Sequence, residues 1–77
     1  MINISIDVSK YDLDDIEVYR ADNNIVIEAF HVEKEEDDNS FTVNEYSLHK
    51  VISISEDENY TWIVNDNILT VTIYEKD

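Results

Sequence analysis

The sequence predicts an all-β fold, an antiparallel β-sandwich of about six short strands in one domain over residues 1–77. Three observations lead there. Apolar residues recur at every second position in several short segments, the period of a strand with one covered face. The apolar set is mostly Ile and Val with five Tyr, two Phe and one Trp, whereas Ala, the best helix former, occurs only at Ala21 and Ala29. Glycine and proline are absent, so the turns fall to clusters of Asn and Asp, the non-glycine residues that best tolerate left-handed backbone.

Each element follows from the same pattern. Ile2, Ile4, Ile6 and Val8 alternate with Asn3, Ser5 and Asp7 and predict a first strand. Ser9 to Asp15 is polar, a turn or a single helical turn. Ile16, Val18 and Arg20 restart the alternation, with Tyr19 on the other face, and Asp22 to Asn24 reads as a tight hairpin turn. From Ile25 to Val32 both parities are apolar, which predicts a central strand covered on both sides. Glu33 to Ser40 is expected as an acidic loop. In the long segment Phe41 to Ile54, Phe41 and Val43 share one parity and Tyr46, Leu48, Ile52 and Ile54 the other. A bulge or bend is therefore expected near Asn44 or Glu45. Ser55 to Asn59 is a second acidic loop; Tyr60, Trp62 and Val64 mark a short strand; Asn65 to Asn67 is a turn. Ile68 to Tyr74 closes the domain, with Leu69, Val71 and Ile73 on one face.

Composition removes several classes of function. With no cysteine there is neither a disulfide framework nor a thiolate metal site. The alternating N-terminus carries Asp7 and Lys10 and does not read as a signal peptide. No apolar run approaches the roughly 20 residues of a membrane span, so no membrane partner and a cytoplasmic location are expected. The formal charge of −14, from 19 acidic and 5 basic residues, repels nucleic acid and anionic lipid, so neither is expected to bind directly. The same charge keeps strand edges soluble and unpaired, and it attracts basic proteins.

No catalytic constellation is present: no thiol, no glycine-rich phosphate loop, no serine in a nucleophile setting. An enzyme is not expected, nor a cofactor. His31 and His49 read as structural or surface histidines, and no metal site is expected. The acidic runs lack the alternating ligands and the turn glycine of an EF-hand loop. Phe30, Tyr60, Trp62 and Tyr74 are the aromatics of interest, as core or as an exposed apolar groove.

The order of these elements resembles the α-crystallin domain of small heat shock proteins, a sandwich of immunoglobulin-like build. Asp7-Val8-Ser9-Lys10-Tyr11, followed by Asp14-Asp15-Ile16-Glu17-Val18, looks like the family's D-V-S-x-F and E-D-I-x-V. Ile25-Val26-Ile27-Glu28-Ala29-Phe30-His31 is similar to its L-x-I-x-G-x-H, and Ser40-Phe41 with Glu45-Tyr46 to its G-F and R-E-F. Asp66-Asn67-Ile68-Leu69-Thr70-Val71 looks like its D-G-V-L-T-I, with Asn67 in place of the glycine. The L-P after the long strand is missing, and Asn44 and Leu48 stand where arginine is frequent. The resemblance implies a bare domain, without the hydrophobic N-terminal arm and the C-terminal I-x-I tail, as a monomer or homodimer.

The resemblance further implies an ATP-independent holdase that binds an unfolded client or another protein. The partner segment would dock in a groove between about Ile16–Arg20 and Ile68–Ile73, lined by Ile16, Val18, Leu69 and Val71. The alternative is an acidic nucleic-acid mimic of the anti-restriction or anti-CRISPR kind, which blocks a basic nucleic-acid-binding protein. Its surface would be Glu33, Glu35, Glu36, Asp37, Asp38, Glu56, Asp57 and Glu58.

Overall fold

In the computed structural model, which describes residues 1–76, six strands form two antiparallel three-stranded sheets. The strands are β1 (Ile2–Asp7), β2 (Ile16–Ala21), β3 (Asn24–Glu36), β4 (Phe41–Ser53), β5 (Glu58–Asn65) and β6 (Ile68–Glu75). One sheet runs β1-β6-β5 and the other β2-β3-β4. A single 3₁₀ turn, Leu13–Asp15, leads into β2.

The sheets bury one shared core. Ile25 and Ile27 of β3 and Leu69 and Val71 of β6 are fully enclosed, joined by Val8, Ile16, Ala29, Ile54 and Ile73. Along β3 and β6 the buried residues alternate with ones on the outer face, as the period of two requires, and of those outer neighbours Val26 alone is buried. Register fixes the rows: Ile4, Val71 and Trp62 lie side by side across one sheet, and Val18, Ile27 and Lys50 across the other.

Three residues take positive φ: Asp22 (55°), Asp66 (50°) and Asn67 (64°). All three lie in turns that the Asn and Asp clusters mark in the sequence. Asp66 and Asn67 are the two central residues between paired Asn65 and Ile68. Both being left-handed matches the twist of a two-residue hairpin.

The β3–β4 hairpin differs from the expectation in three respects. First, β3 runs on to Glu36, so Glu33, Glu35 and Glu36 lie in a strand and the turn is confined to residues 37–40. Second, β4 carries no bulge: the ladder runs unbroken from Asn24↔Ser53 to Glu36↔Phe41. The apolar parity changes without a bulge because β2 pairs β3 only as far as Ala29. Beyond that point the two strands pair only with each other in their sheet, so Phe41 and Val43 take the outer face at no cost in register. Third, β3 is not covered on both sides throughout. Val26 is buried on the outer face, whereas Phe30, on the same face, is 56% exposed. The overhang stretches the molecule to 60 × 25 × 15 Å and its radius of gyration to 15.9 Å. A spherical domain of this length would have about 11–12 Å.

The hairpin turn is tied by Asp37. Its Oδ1 accepts the backbone N–H of Asn39 (3.1 Å) and Ser40 (2.9 Å) and the Ser40 hydroxyl (2.8 Å). These bonds, the Asn39 N–H foremost, hold the Asp37 carboxyl below its ordinary value.

Two outcomes follow from the turns. Asn67→Ile should lower stability by roughly 1–2 kcal/mol in urea unfolding, and Asn67→Gly should stay within about 0.5 kcal/mol of the parent. Equal stability of all three would contradict the left-handed turn. A carboxyl with a depressed folded pKa stabilises fully above its unfolded value, and the contribution fades as pH falls through the lower folded value. Asp37→Ala should therefore lower the urea midpoint near neutrality and converge with the parent at the acid end; a constant gap would contradict the titration of Asp37.

Candidate functional site

An antiparallel sandwich of two three-stranded sheets leaves outer strands whose far backbone edge is unpaired. Here β2 and β5 are such strands, and they lie across from each other on one side of the sandwich. Arg20 joins them at one end. Its Nη1 donates to Glu58 O at 2.6 Å, its Nη2 to Ser55 O at 3.2 Å, and its Nε to Asp22 O at 3.0 Å. At the other end Ile16 of β2 and Val64 of β5 line an open cavity of about 560 Å³, whose mouth is shared by apolar Val8 and Leu13 and polar Asp12 and Asp66. Arg20 beside Glu58 and Ile16 beside Val64 mean that the strands run antiparallel across the cleft. No ladder joins them.

The cleft is apolar between these ends. Val18 packs on the core from β2, and Tyr60 and Val64 do so from β5. Trp62 shares their face, being in register with buried Val71, yet it is 40% exposed because no strand lies beyond β5. The cleft therefore offers two unpaired backbone edges and one exposed indole, the elements that capture an extended segment by strand addition.

The groove expected between Ile16–Arg20 and Ile68–Ile73 is not found there. β6 is the middle strand of its sheet, paired with β1 on one side and β5 on the other, so it has no free edge. Leu69 and Val71 are 0% exposed, and both belong to the floor of the core. Ile16 is buried and Val18 half-buried, but both stand on the edge strand that borders the cleft. The strand that faces β2 is β5. Its signal lay in the sequence: Leu69, Val71 and Ile73 alternate with small Thr70 and Thr72, the look of an enclosed strand, whereas β5 carries bulky Trp62 and Ile63 on both faces. Nothing in the pattern singled out Arg20 as the clamp.

The acidic residues divide into two groups. Glu33, Glu35, Glu36, Asp37 and Asp38 lie at the tip of the β3–β4 hairpin. Glu56, Asp57 and Glu58 lie by the start of β3, where Ser53 pairs with Asn24, about 40 Å away at the rise of an extended strand. The Glu58 carboxylate already accepts the Ser55 N–H at 2.9 Å. Exposed His49 stands 3.5 Å from Glu28. His31 is half-buried, with its Nδ1 2.8 Å from Asp15 Oδ2, and Asp12 joins this pair as a third group able to ligate a metal.

On the outer face of β2-β3-β4, Tyr19 donates its hydroxyl to Glu28 Oε1 at 3.0 Å. That bond, foremost, pushes the Tyr19 phenol above its ordinary value. Among the described residues no helix is long and apolar enough to cross a membrane.

The family model described as "Hsp20/alpha crystallin family" matches residues 1–77. Among solved structures, a rat alpha crystallin domain superposes with a TM-score of 0.76 at 16% identity, covering 99% of this chain and 80% of that one. Stress-induced protein 1 from Caenorhabditis elegans superposes with a TM-score of 0.69 at 15% identity, covering 90% and 71%. At such identities the structures are alike in fold. No curated protein matches the chain.

Arg20→Met removes the donors for the Ser55 and Glu58 carbonyls. It should cost about 1–3 kcal/mol in urea unfolding, with Arg20→Lys recovering only part. Parent-like stability of the Met variant would show that the clamp does not hold the two edges together.

Proposed function

Because the chain belongs to the Hsp20/alpha crystallin family, we propose that it is an ATP-independent holdase of small heat shock protein type, a binding protein and not an enzyme. Members of this family bind unfolded clients. The observation that carries the reading for this chain is the cleft between β2 and β5. Two free edges face each other above core-packed Val18, Tyr60 and Val64, with Trp62 40% exposed beside them. An extended client segment adds to an edge through its backbone and seats alternate apolar side chains against Ile16, Val18, Trp62 and Val64. Strand addition through the backbone does not depend on client sequence, which suits a protein that meets many unfolded chains.

The charge of −14 supports the same task. It repels one loaded complex from the next and discourages edge-to-edge pairing between copies. The alternative, a mimic of a nucleic-acid backbone, is less well served by the placement of the charge. The two acidic groups stand at opposite ends of β3, not along one continuous track.

The test is light scattering from a heat-labile client, with and without the protein, at low and high salt. Suppression at near-stoichiometric ratio in both salts is expected, because apolar docking is little screened. Trp62→Glu should raise the ratio required by about fivefold, which corresponds to roughly 1 kcal/mol for one aromatic contact. No suppression at any ratio would overturn the holdase reading. Suppression confined to low salt would favour the charge-based alternative.

A further inference from the structure

The β3–β4 hairpin projects beyond the sandwich as a ribbon two strands wide, because β2 pairs β3 only as far as Ala29. Side chains alternate between the faces of a strand, so register decides which of them share a surface. On the outer face Phe30 lies opposite Ser47, Val32 opposite Glu45, Lys34 opposite Val43 and Glu36 opposite Phe41. Phe41 is 61% exposed, Phe30 56% and Val43 43%, and Val32 between them is half-buried. These four apolar side chains cross from β3 to β4 along one face, over about 20 Å at the rise of an extended strand. A contiguous exposed stripe with a polar rim is the mark of an interaction surface, which a lone exposed residue is not.

Carboxylates surround the stripe. Residues 30–47 hold six of them, at Glu33, Glu35, Glu36, Asp37, Asp38 and Glu45, against one lysine, Lys34. Among the described residues every pair within ion-pair distance involves a histidine, so no Lys or Arg neutralises this charge. At the base of the hairpin, where β2 ends, Phe30 borders an open cavity of about 400 Å³ that Asp15, Glu17 and Glu28 also line. An apolar wall beside carboxylates matches a lysine or arginine side chain, with its apolar stem and cationic head.

We propose that the outer face of the β3–β4 hairpin docks a basic amphipathic helix of a partner protein, an occupant different in kind from the extended segment of the cleft. Backbone groups within a ladder are already paired, so a sheet face reads side chains, and a helix presents them at i, i+3, i+4 and i+7. A ribbon two strands wide is about as broad as one helix, roughly 10 Å. A length of about 20 Å takes about 13 residues of helix, three to four turns. The carboxylates require Lys and Arg along the flanks of that helix, and they disfavour a second copy, which carries the same −14.

The surface stands independently of the holdase reading, and its test needs no unfolded client. The probe is a peptide of about 14 Leu and Lys residues, with Leu spaced so that a helix carries one apolar stripe. It is titrated into the 77-residue chain and followed by amide chemical shifts and by the circular dichroism of the peptide. One peptide should bind per chain and gain helix, with shifts centred on Phe30, Val32, Phe41 and Val43. A peptide of the same composition with its Leu residues scattered should bind at least about tenfold more weakly. Phe30→Ser and Phe41→Ser should each weaken the patterned peptide by about tenfold, the scale of one aromatic side chain taken out of water. Both side chains are exposed, so both variants should fold, which the urea midpoint verifies. Equal binding of the two peptides would reduce the effect to general charge attraction and overturn the surface. So would parent-like binding by both variants, shifts confined to β2 and β5, or self-association of the chain through Phe41 that excludes the peptide.

Discussion

Ile25 and Ile27 of β3 and Leu69 and Val71 of β6 enclose one another completely, and they belong to the two strands that have a neighbour on each side. A chain of 77 residues buries little apolar surface, so its central strands must carry the core almost alone. That constraint sets the rest. The middle strands are consumed by packing, and every function that needs an open backbone falls to the outer strands. The cleft lies between β2 and β5 for this reason, and Arg20 is needed because no ladder joins those strands.

The same economy explains the charge. Outer strands expose unpaired N–H and C=O groups, and the β3–β4 overhang adds exposed Phe30, Phe41 and Val43. Without glycine or proline to blunt its edges, the molecule relies on carboxylates to keep copies apart.

Much of the fold was legible in the sequence because its physical causes are local. Period-two alternation marks strands, and clusters of Asn and Asp mark turns; Asp22, Asp66 and Asn67 take the left-handed backbone that those clusters suggested. Legibility stopped where causes are long-range. Glu33 to Glu36 look like a loop by charge, yet they extend β3 because their partners in β4 come from across the turn. The apparent bend at Asn44 arose from the end of β2, a feature that the residues of β4 do not encode. Which strand faces β2 is likewise a matter of sheet order, which alternation alone leaves open, so Leu69 and Val71 were expected in a groove and lie in the core. That His31 meets Asp15 likewise depends on where the 3₁₀ turn settles against β3, which alternation does not encode.

Backbone hydrogen exchange of the chain, with and without a reduced, unfolded client, reads out whether an extended partner segment docks along β2 and β5. Docking there should raise protection in the amides of β2 and β5, around Val18 and Trp62, while β6 is protected throughout and the β3–β4 tip is unchanged. Protection that rises only along β4 or at the hairpin tip, or nowhere, would contradict it.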